Sequence, residues 1–204
     1  MIVEMHTILL KPKSPQTVEQ RFEQALPQRH KLSPLAAFWH TEVGTLNQII
    51  LLWPYASQAE RERVHAQAAR LPNWPPDIGE FTVEEQSTIL IPAPFSPPLE
   101  PRQLGNIYEI RSYTFRSGSI PAVIERWSKM MDERVKLSPL AGCWYSDIGP
   151  LHRWVHIWPY ADAAERQRIR AEAVARRIWP PDTTEFLLKM ENILAVPAPF
   201  SPLH

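Results

Sequence analysis

KLSPLA at Lys31–Ala36 returns as KLSPLA at Lys136–Ala141, and three further words return at the same distance. WPYA occupies Trp53–Ala56 and Trp158–Ala161, WPPD occupies Trp74–Asp77 and Trp179–Asp182, and PAPFSP occupies Pro92–Pro97 and Pro197–Pro202. Displacing the sequence by 105 residues aligns 1–99 with 106–204 without a gap, and about 37 of the 99 positions are identical. So long a period exceeds the unit of a solenoid and matches a small domain. The sequence therefore reads as two copies of one fold in tandem, 1–96 and 106–204. Residues 97–105 join them, where Pro97, Pro98 and Pro101 favour an extended spacer.

Each copy reads as β-α-β-β-α-β. In the second, Ile107–Phe115 is rich in β-branched and aromatic residues, and Ser119–Arg134 places Val123, Trp127, Met130 and Met131 at helical spacing. Ser119 and Ser14 are the expected N-caps of these first helices, with Pro15 at the first helical position. Leu140–Asp147 and Leu151–Trp158 flank Ile148-Gly149-Pro150 and form a hairpin, with its twin around Gly44, and Pro159 is expected to stop the second strand. Ser57-x-x-Glu60 and Asp162-x-x-Glu165 announce the next helix in each copy. Trp74-Pro75-Pro76 and Trp179-Pro180-Pro181 are expected to end those helices, because a residue before proline is pushed out of the helical region. Last strands near Glu80–Ile91 and Glu185–Val196 run into the PAPFSP tails. This order is the split βαβ, or ferredoxin-like, arrangement, with both helices on one face of a four-stranded antiparallel sheet. Two bare sheet faces must be covered, so the copies are expected to pack sheet to sheet as an α/β barrel with helices outside.

Composition excludes several function classes. At 204 residues, with 44% apolar and 22% charged, the chain can bury a core of ordinary size. Its 22 basic and 22 acidic residues cancel and no basic block occurs, so nucleic acid is not the expected partner. No apolar run approaches a membrane span, MIVEMHTILL carries Glu4 and His6 where a signal peptide needs apolar residues, and a cytoplasmic location without membrane partners is expected. The single Cys143 excludes an internal disulfide and suits a reducing compartment.

Three stretches of the second copy carry a family resemblance: Tyr108-Glu109-Ile110-Arg111-Ser112-Tyr113-Thr114, then Trp158-Pro159-Tyr160 followed by Glu165-Arg166-Gln167-Arg168, and finally Pro197–Pro202. Together and in this order they resemble the NIPSNAP family, over essentially the whole chain and twice over. The first copy departs in its first strand, where Glu4 is kept but His6 stands opposite Arg111 and Ile8 opposite Tyr113. The resemblance implies a dimeric α/β-barrel fold. It supplies no reaction: animal members have proposed roles in trafficking and mitochondrial quality control, while barrel relatives outside the family include cofactor-free monooxygenases, isomerases and haem proteins.

The sequence contains no GxGxxG, GxxxxGK or GxSxG, so classical phosphate loops and a nucleophile elbow are absent, and no cofactor is expected. His152 and His156 have zinc-helix spacing but fall on a strand, where they would stand about 13 Å apart, so no metal is expected. Cys143 aligns with Phe38 and reads as a buried structural thiol.

Strand alternation groups Glu109, Arg111 and Tyr113 on one face and Tyr108, Ile110 and Ser112 on the other. The third strand groups His152, Trp154, His156 and Trp158 against Arg153, Val155 and Ile157. The smaller, more aliphatic sets are expected beneath the helices, which leaves the polar-aromatic sets to line a pocket inside the barrel. The second copy is the more polar there, since Ile8 aligns with Tyr113, Ile49 with Trp154, Leu51 with His156 and His40 with Tyr145. Arg111 and His156 are the candidate catalytic residues, one stabilising an oxyanion and one acting as general base. Glu109, Tyr113, Tyr145, His152 and Trp154 are the candidate ligand-binding residues. Glu109–Arg111 reads first as a structural ion pair, Trp53 and Trp158 as packing residues, and the arginine-rich helix faces as solvated surface. Two functions fit: a protein that binds a small apolar or aromatic metabolite in the barrel, with or without turning it over, and a non-enzymatic protein–protein interaction or scaffold protein. Exposed sheet edges or helices offer a route to a homo-oligomer.

Overall fold

The computed structural model, which covers residues 1–204, has the expected order in both copies. Strand β1 (Ile2–Leu10), helix α1 (Pro15–His30), strands β2 (Ala37–Val43) and β3 (Gln48–Tyr55), helix α2 (Gln58–Ala68) and strand β4 (Thr82–Pro92) make the first. Strand β5 (Ile107–Phe115), helix α3 (Ile120–Val135), strands β6 (Gly142–Ile148) and β7 (Arg153–Tyr160), helix α4 (Ala163–Ala175) and strand β8 (Leu187–Pro197) make the second. No helix is long and apolar enough to cross a membrane.

Local chemistry explains most element ends and corrects three expectations. Ser57 and Asp162 accept from the N–H groups of Glu60 and Glu165, while the Glu60 and Glu165 carboxylates accept from Ala56 N–H and Ala161 N–H, so both capping boxes close on themselves. Ser14 and Ser119 are not side-chain caps; their hydroxyls donate to the Lys11 and Arg116 carbonyls in the preceding turns. Pro54 and Pro159 do not stop their strands. Each lies beyond the last pairing with the hairpin partner, so its missing N–H leaves no ladder bond unmade. The second helices end before the Trp-Pro-Pro segments. Arg177, at φ 56°, closes α4 with Arg177 N–H on the Val174 carbonyl and Ile178 N–H on the Ala173 carbonyl.

All strand pairs are antiparallel and the sheet closes on itself in the order β1-β3-β2-β8-β5-β7-β6-β4. The copies join at two seams, β2 to β8 with Thr41 opposite Ala195, and β4 to β6 with Pro92 opposite Trp144. Thr82–Thr88 of β4 and Leu187–Ile193 of β8 have a neighbour on one side only, and these free edges carry Glu84, Glu85, Lys189 and Glu191.

Three apolar cores result, and they decide which strand face points where. The barrel lumen is filled from both copies by Val3, Trp39, Ile50, Leu52, Tyr108, Ile110, Trp144, Val155 and Ile157 among others, with Trp39 stacked on Tyr108 at 4.6 Å between ring centroids. The aliphatic faces therefore look into the barrel, and the polar-aromatic faces lie beneath the helices, the reverse of the sequence expectation. An eight-stranded barrel has a lumen only as wide as the side chains that fill it. Charged groups find hydrogen-bond partners more readily in the helix layer, where helix side chains reach over them. One such layer lies over each copy. The tails cross between copies: Ala198 and Phe200 pack in the first copy's layer, and Ala93 and Phe95 in the second's. Ser201 Oγ accepts from Phe38 N–H at 3.0 Å and Ser96 Oγ from Cys143 N–H at 2.9 Å, fixing each tail to the opposite copy.

Candidate functional site

A cavity of about 640 Å³ lies in the helix layer of the first copy, outside the lumen. Its floor is the outer face of β1 and β3, its walls are α1 and α2, and the Trp74–Gly79 segment closes one end. Ile8, Phe22, Leu51, Trp53, Trp74 and Ile78 supply apolar surface, while Glu4, His6, Arg29, Tyr55, His65 and Glu85 supply polar groups.

These polar groups form a connected set. Buried Glu4 accepts from Arg61 Nη2 at 2.6 Å, Ser87 Oγ at 2.6 Å and His65 Nε2 at 2.9 Å. Burial pushes its carboxyl up, but the bonds from His65, Arg61 and Ser87 outweigh that and hold it well below the usual carboxylate range. An ionised carboxylate only accepts, so His65 must present Nε2–H to it. Tyr55 Oη lies 3.5 Å from the same nitrogen and accepts from Arg29 Nη2 at 2.8 Å. Burial, with the nearby Glu4 charge added and Arg29 opposing, pushes the Tyr55 phenol up to about 12, so it stays protonated. The Arg29 guanidinium lies over Trp53, 4.3 Å from the ring centroid. At the rim, His6 Nε2 lies 3.3 Å from Glu85 Oε2.

The second copy fills the equivalent space with its own side chains. Tyr113 stands where the first copy has Ile8, Trp127 where it has Phe22, and His156 where it has Leu51. Glu109, the twin of Glu4, accepts from three arginines: Arg166 at 2.6 Å, Arg111 at 2.8 Å and Arg170 at 3.4 Å. Arg111 Nε also donates to Tyr113 Oη at 2.7 Å. Fully buried His156 accepts from Trp158 Nε1 through Nδ1 at 2.7 Å, sits 4.7 Å from Trp127 and 5.0 Å from Tyr113 between ring centroids, and has no partner for Nε2. Burial, with Arg111, Arg134 and Arg170 nearby, drives its pKa well below the ordinary imidazole value. Arg134 repeats the role of Arg29, lying 3.9 Å from the Trp158 ring centroid and donating to Tyr160 Oη at 3.3 Å.

The sequence profile of the NIPSNAP family matches residues 3–97 and again residues 108–202. The chain belongs to the NIPSNAP family. It is similar to the protein NipSnap homolog of Dictyostelium discoideum, 29% identical over 78% of this chain and 73% of that protein. It is similar also to NipSnap homolog 2 of Mus musculus, 26% identical over 99% of this chain and 75% of the relative. Among solved structures, a putative monooxygenase from Lactobacillus acidophilus superposes with a TM-score of 0.70 over 96% of this chain and 93% of its own, at 9% identity. That likeness extends to the fold alone.

In this tandem NIPSNAP chain, the structure brings Glu109, Arg111, Tyr113, Trp154 and His156 together, in the helix layer of the second copy. Tyr145 sits part-buried at the margin of that layer. His152 is not on the strand face at all; it occupies the β6–β7 turn at φ 58°, its carbonyl accepting from Phe115 N–H. Arg111 directs Nη1 to Glu109 and Nε to Tyr113, and the acceptor nitrogen of His156 is taken by Trp158. No three His, Cys, Asp or Glu side chains converge as metal ligands. Cys143 is buried and its thiol is pushed well up by that burial.

The cavity residues Glu4, His6, Arg29, Tyr55 and His65 belong to the first copy, whereas every candidate residue of the sequence analysis lies in the second, more polar copy. A signal for them existed. Ile8 against Tyr113 and Phe22 against Trp127 are differences in volume as well as polarity, and both leave room in the first copy.

Proposed function

We propose that this NIPSNAP chain binds one small, largely apolar or aromatic molecule in the cavity of its first copy. The carrying observation is the contrast between the copies: a space of about 640 Å³ stands open in one and is filled by Tyr113, Trp127 and His156 in the other. That volume falls in the range of ordinary small-molecule sites, and its make-up, apolar walls with a polar cluster at one end, is theirs too. The reading keeps the expected cytoplasmic location, which a lone cysteine suits.

The test is native mass spectrometry of the freshly purified chain, denaturing analysis of anything released, and calorimetric titration with the neutral aromatic probes indole and phenethyl alcohol. The control is a plugged variant, His6→Arg/Ile8→Tyr/Phe22→Trp, which installs the second copy's residues in the first. A defined co-purifying molecule, or probe binding, that the folded plugged variant loses is the expected result. No released molecule, together with equal probe heats for the chain and the plugged variant, overturns the reading.

A further inference from the structure

The second copy shows what the first copy's cavity is shaped to receive. There the buried carboxylate Glu109 takes the Arg111 guanidinium at 2.8 Å, and the Tyr113 ring lies with its centroid 5.4 Å from that cation. In the first copy the Arg111 position is His6, which turns to Glu85, and the Tyr113 position is Ile8, which leaves the ring's space empty. The Arg170 position is His65. Glu4 is thus the same buried carboxylate with two of three guanidinium partners exchanged for an imidazole at each position, and it keeps acceptor capacity beyond the three bonds it makes. Arg29 is the one arginine lining the cavity, against Glu4, Asp77 and Glu85, and its twin Arg134 coexists with Arg111 in the second copy. A second cation beside it is therefore compatible with the site.

We propose that the ligand of the first copy's cavity is an arylalkylamine: an aromatic ring in the space that Tyr113 fills in the twin, and a protonated amine on Glu4 where the twin has Arg111. The ring-to-guanidinium separation of 5.4 Å in the twin is one that a two-carbon tether between ring and amine bridges. This rests on the binding function proposed above and adds the charge and shape of the ligand. Ring and cation need not be linked in the twin, where they come from two residues of one strand, but a small ligand must carry both to make both contacts.

Three probes with one skeleton separate the possibilities: phenethylamine, phenethyl alcohol and hydrocinnamate, titrated calorimetrically into the chain, into Glu4→Gln and into His6→Arg. Phenethylamine is expected to bind about ten-fold more tightly than the alcohol, the worth of a charge-assisted hydrogen bond, and hydrocinnamate more weakly than either. Glu4→Gln should remove the amine's advantage over the alcohol. His6→Arg, which returns a guanidinium to the carboxylate without touching it, should do the same if Glu4→Gln does not fold. An amine no tighter than the alcohol, or a hydrocinnamate that binds best, overturns the arylalkylamine while leaving a ligand-binding cavity in place. No probe binding above the plugged variant removes both.

Discussion

Trp158 donates its indole N–H to Nδ1 of His156 across 2.7 Å, and this single bond fixes the imidazole as the neutral tautomer with its proton on Nε2. The buried ring resists protonation, whereas in the unfolded chain it titrates near the ordinary value of 6.5. Below that value the unfolded state binds the extra proton, so stability is fully present above about pH 6.5 and falls as the pH is lowered. The limiting slope for one such group is about 1.4 kcal/mol per pH unit. His30, lowered by burial and Arg29, adds to this slope, and His40, raised by its bond to Glu19, opposes it. Urea midpoints of the chain should fall between pH 7 and pH 5, and His156→Phe should fall less steeply. An unchanged slope in the variant would mean that His156 is not the group responsible.

Gly142 and Ala37 are twins, yet only one tolerates a methyl group. A Cβ on Gly142 would run into the Trp144 indole folded over it. Gly142→Ala should cost roughly 1–3 kcal/mol through overpacking, with a lowered thermal midpoint. Ala37→Gly should cost less, about 1 kcal/mol, from backbone entropy.

Arg134 links α3 to β7 by donating to Tyr160 Oη at 3.3 Å and Ser138 Oγ at 2.9 Å while covering Trp158. Arg134→Met keeps the packing stem and removes the donors. A loss of about 2 kcal/mol is expected in chemical unfolding, since the buried hydroxyls lose their donor and the indole its cation. A neutral or stabilising result would show that desolvating the guanidinium costs as much as these contacts return.

Ser201 both accepts from Phe38 N–H and donates to the Leu203 carbonyl at 2.7 Å, in a buried position. Ser96, its twin, accepts from Cys143 N–H, and its one donor contact, to the Pro97 carbonyl, is long at 3.5 Å. Ser201→Ala should therefore cost about 1–2 kcal/mol and exceed Ser96→Ala. Hydrogen exchange at the Phe38 amide should accelerate in the first variant and stay unchanged in the second.

The fold was readable because period, alternation and capping chemistry all pointed the same way. The repeat set the copies, Gly44 and Gly149 marked the hairpins, and Ser57 and Asp162 marked helix starts. Membership of the strand faces was readable as well, His152 in the β6–β7 turn excepted: Glu109, Arg111 and Tyr113 do share one side. Which side was not, because alternation has no direction, and the polar set was sent into the barrel when the lumen takes Tyr108 and Ile110 instead. The cavity of the first copy was not legible for a related reason. Polar residues such as His156 and Arg111 drew attention to the copy whose space they fill, whereas a cavity is made by what is small, and Ile8 and Phe22 carry no chemical flag.

The two interdigitated tails bind each copy to the other, so the pair behaves as one cooperative body, but the linker at 97–105 frees the copies from having the same sequence. A dimer assembled from two identical chains must present two equivalent cavities or none. Joining the copies in one chain lifts that symmetry, so Tyr113, Trp127 and His156 can seal one cavity without sealing the other. On the binding function proposed above, the stoichiometry that follows is one ligand per chain, bound without site-to-site cooperativity, on a scaffold whose second half serves as a permanently occupied partner.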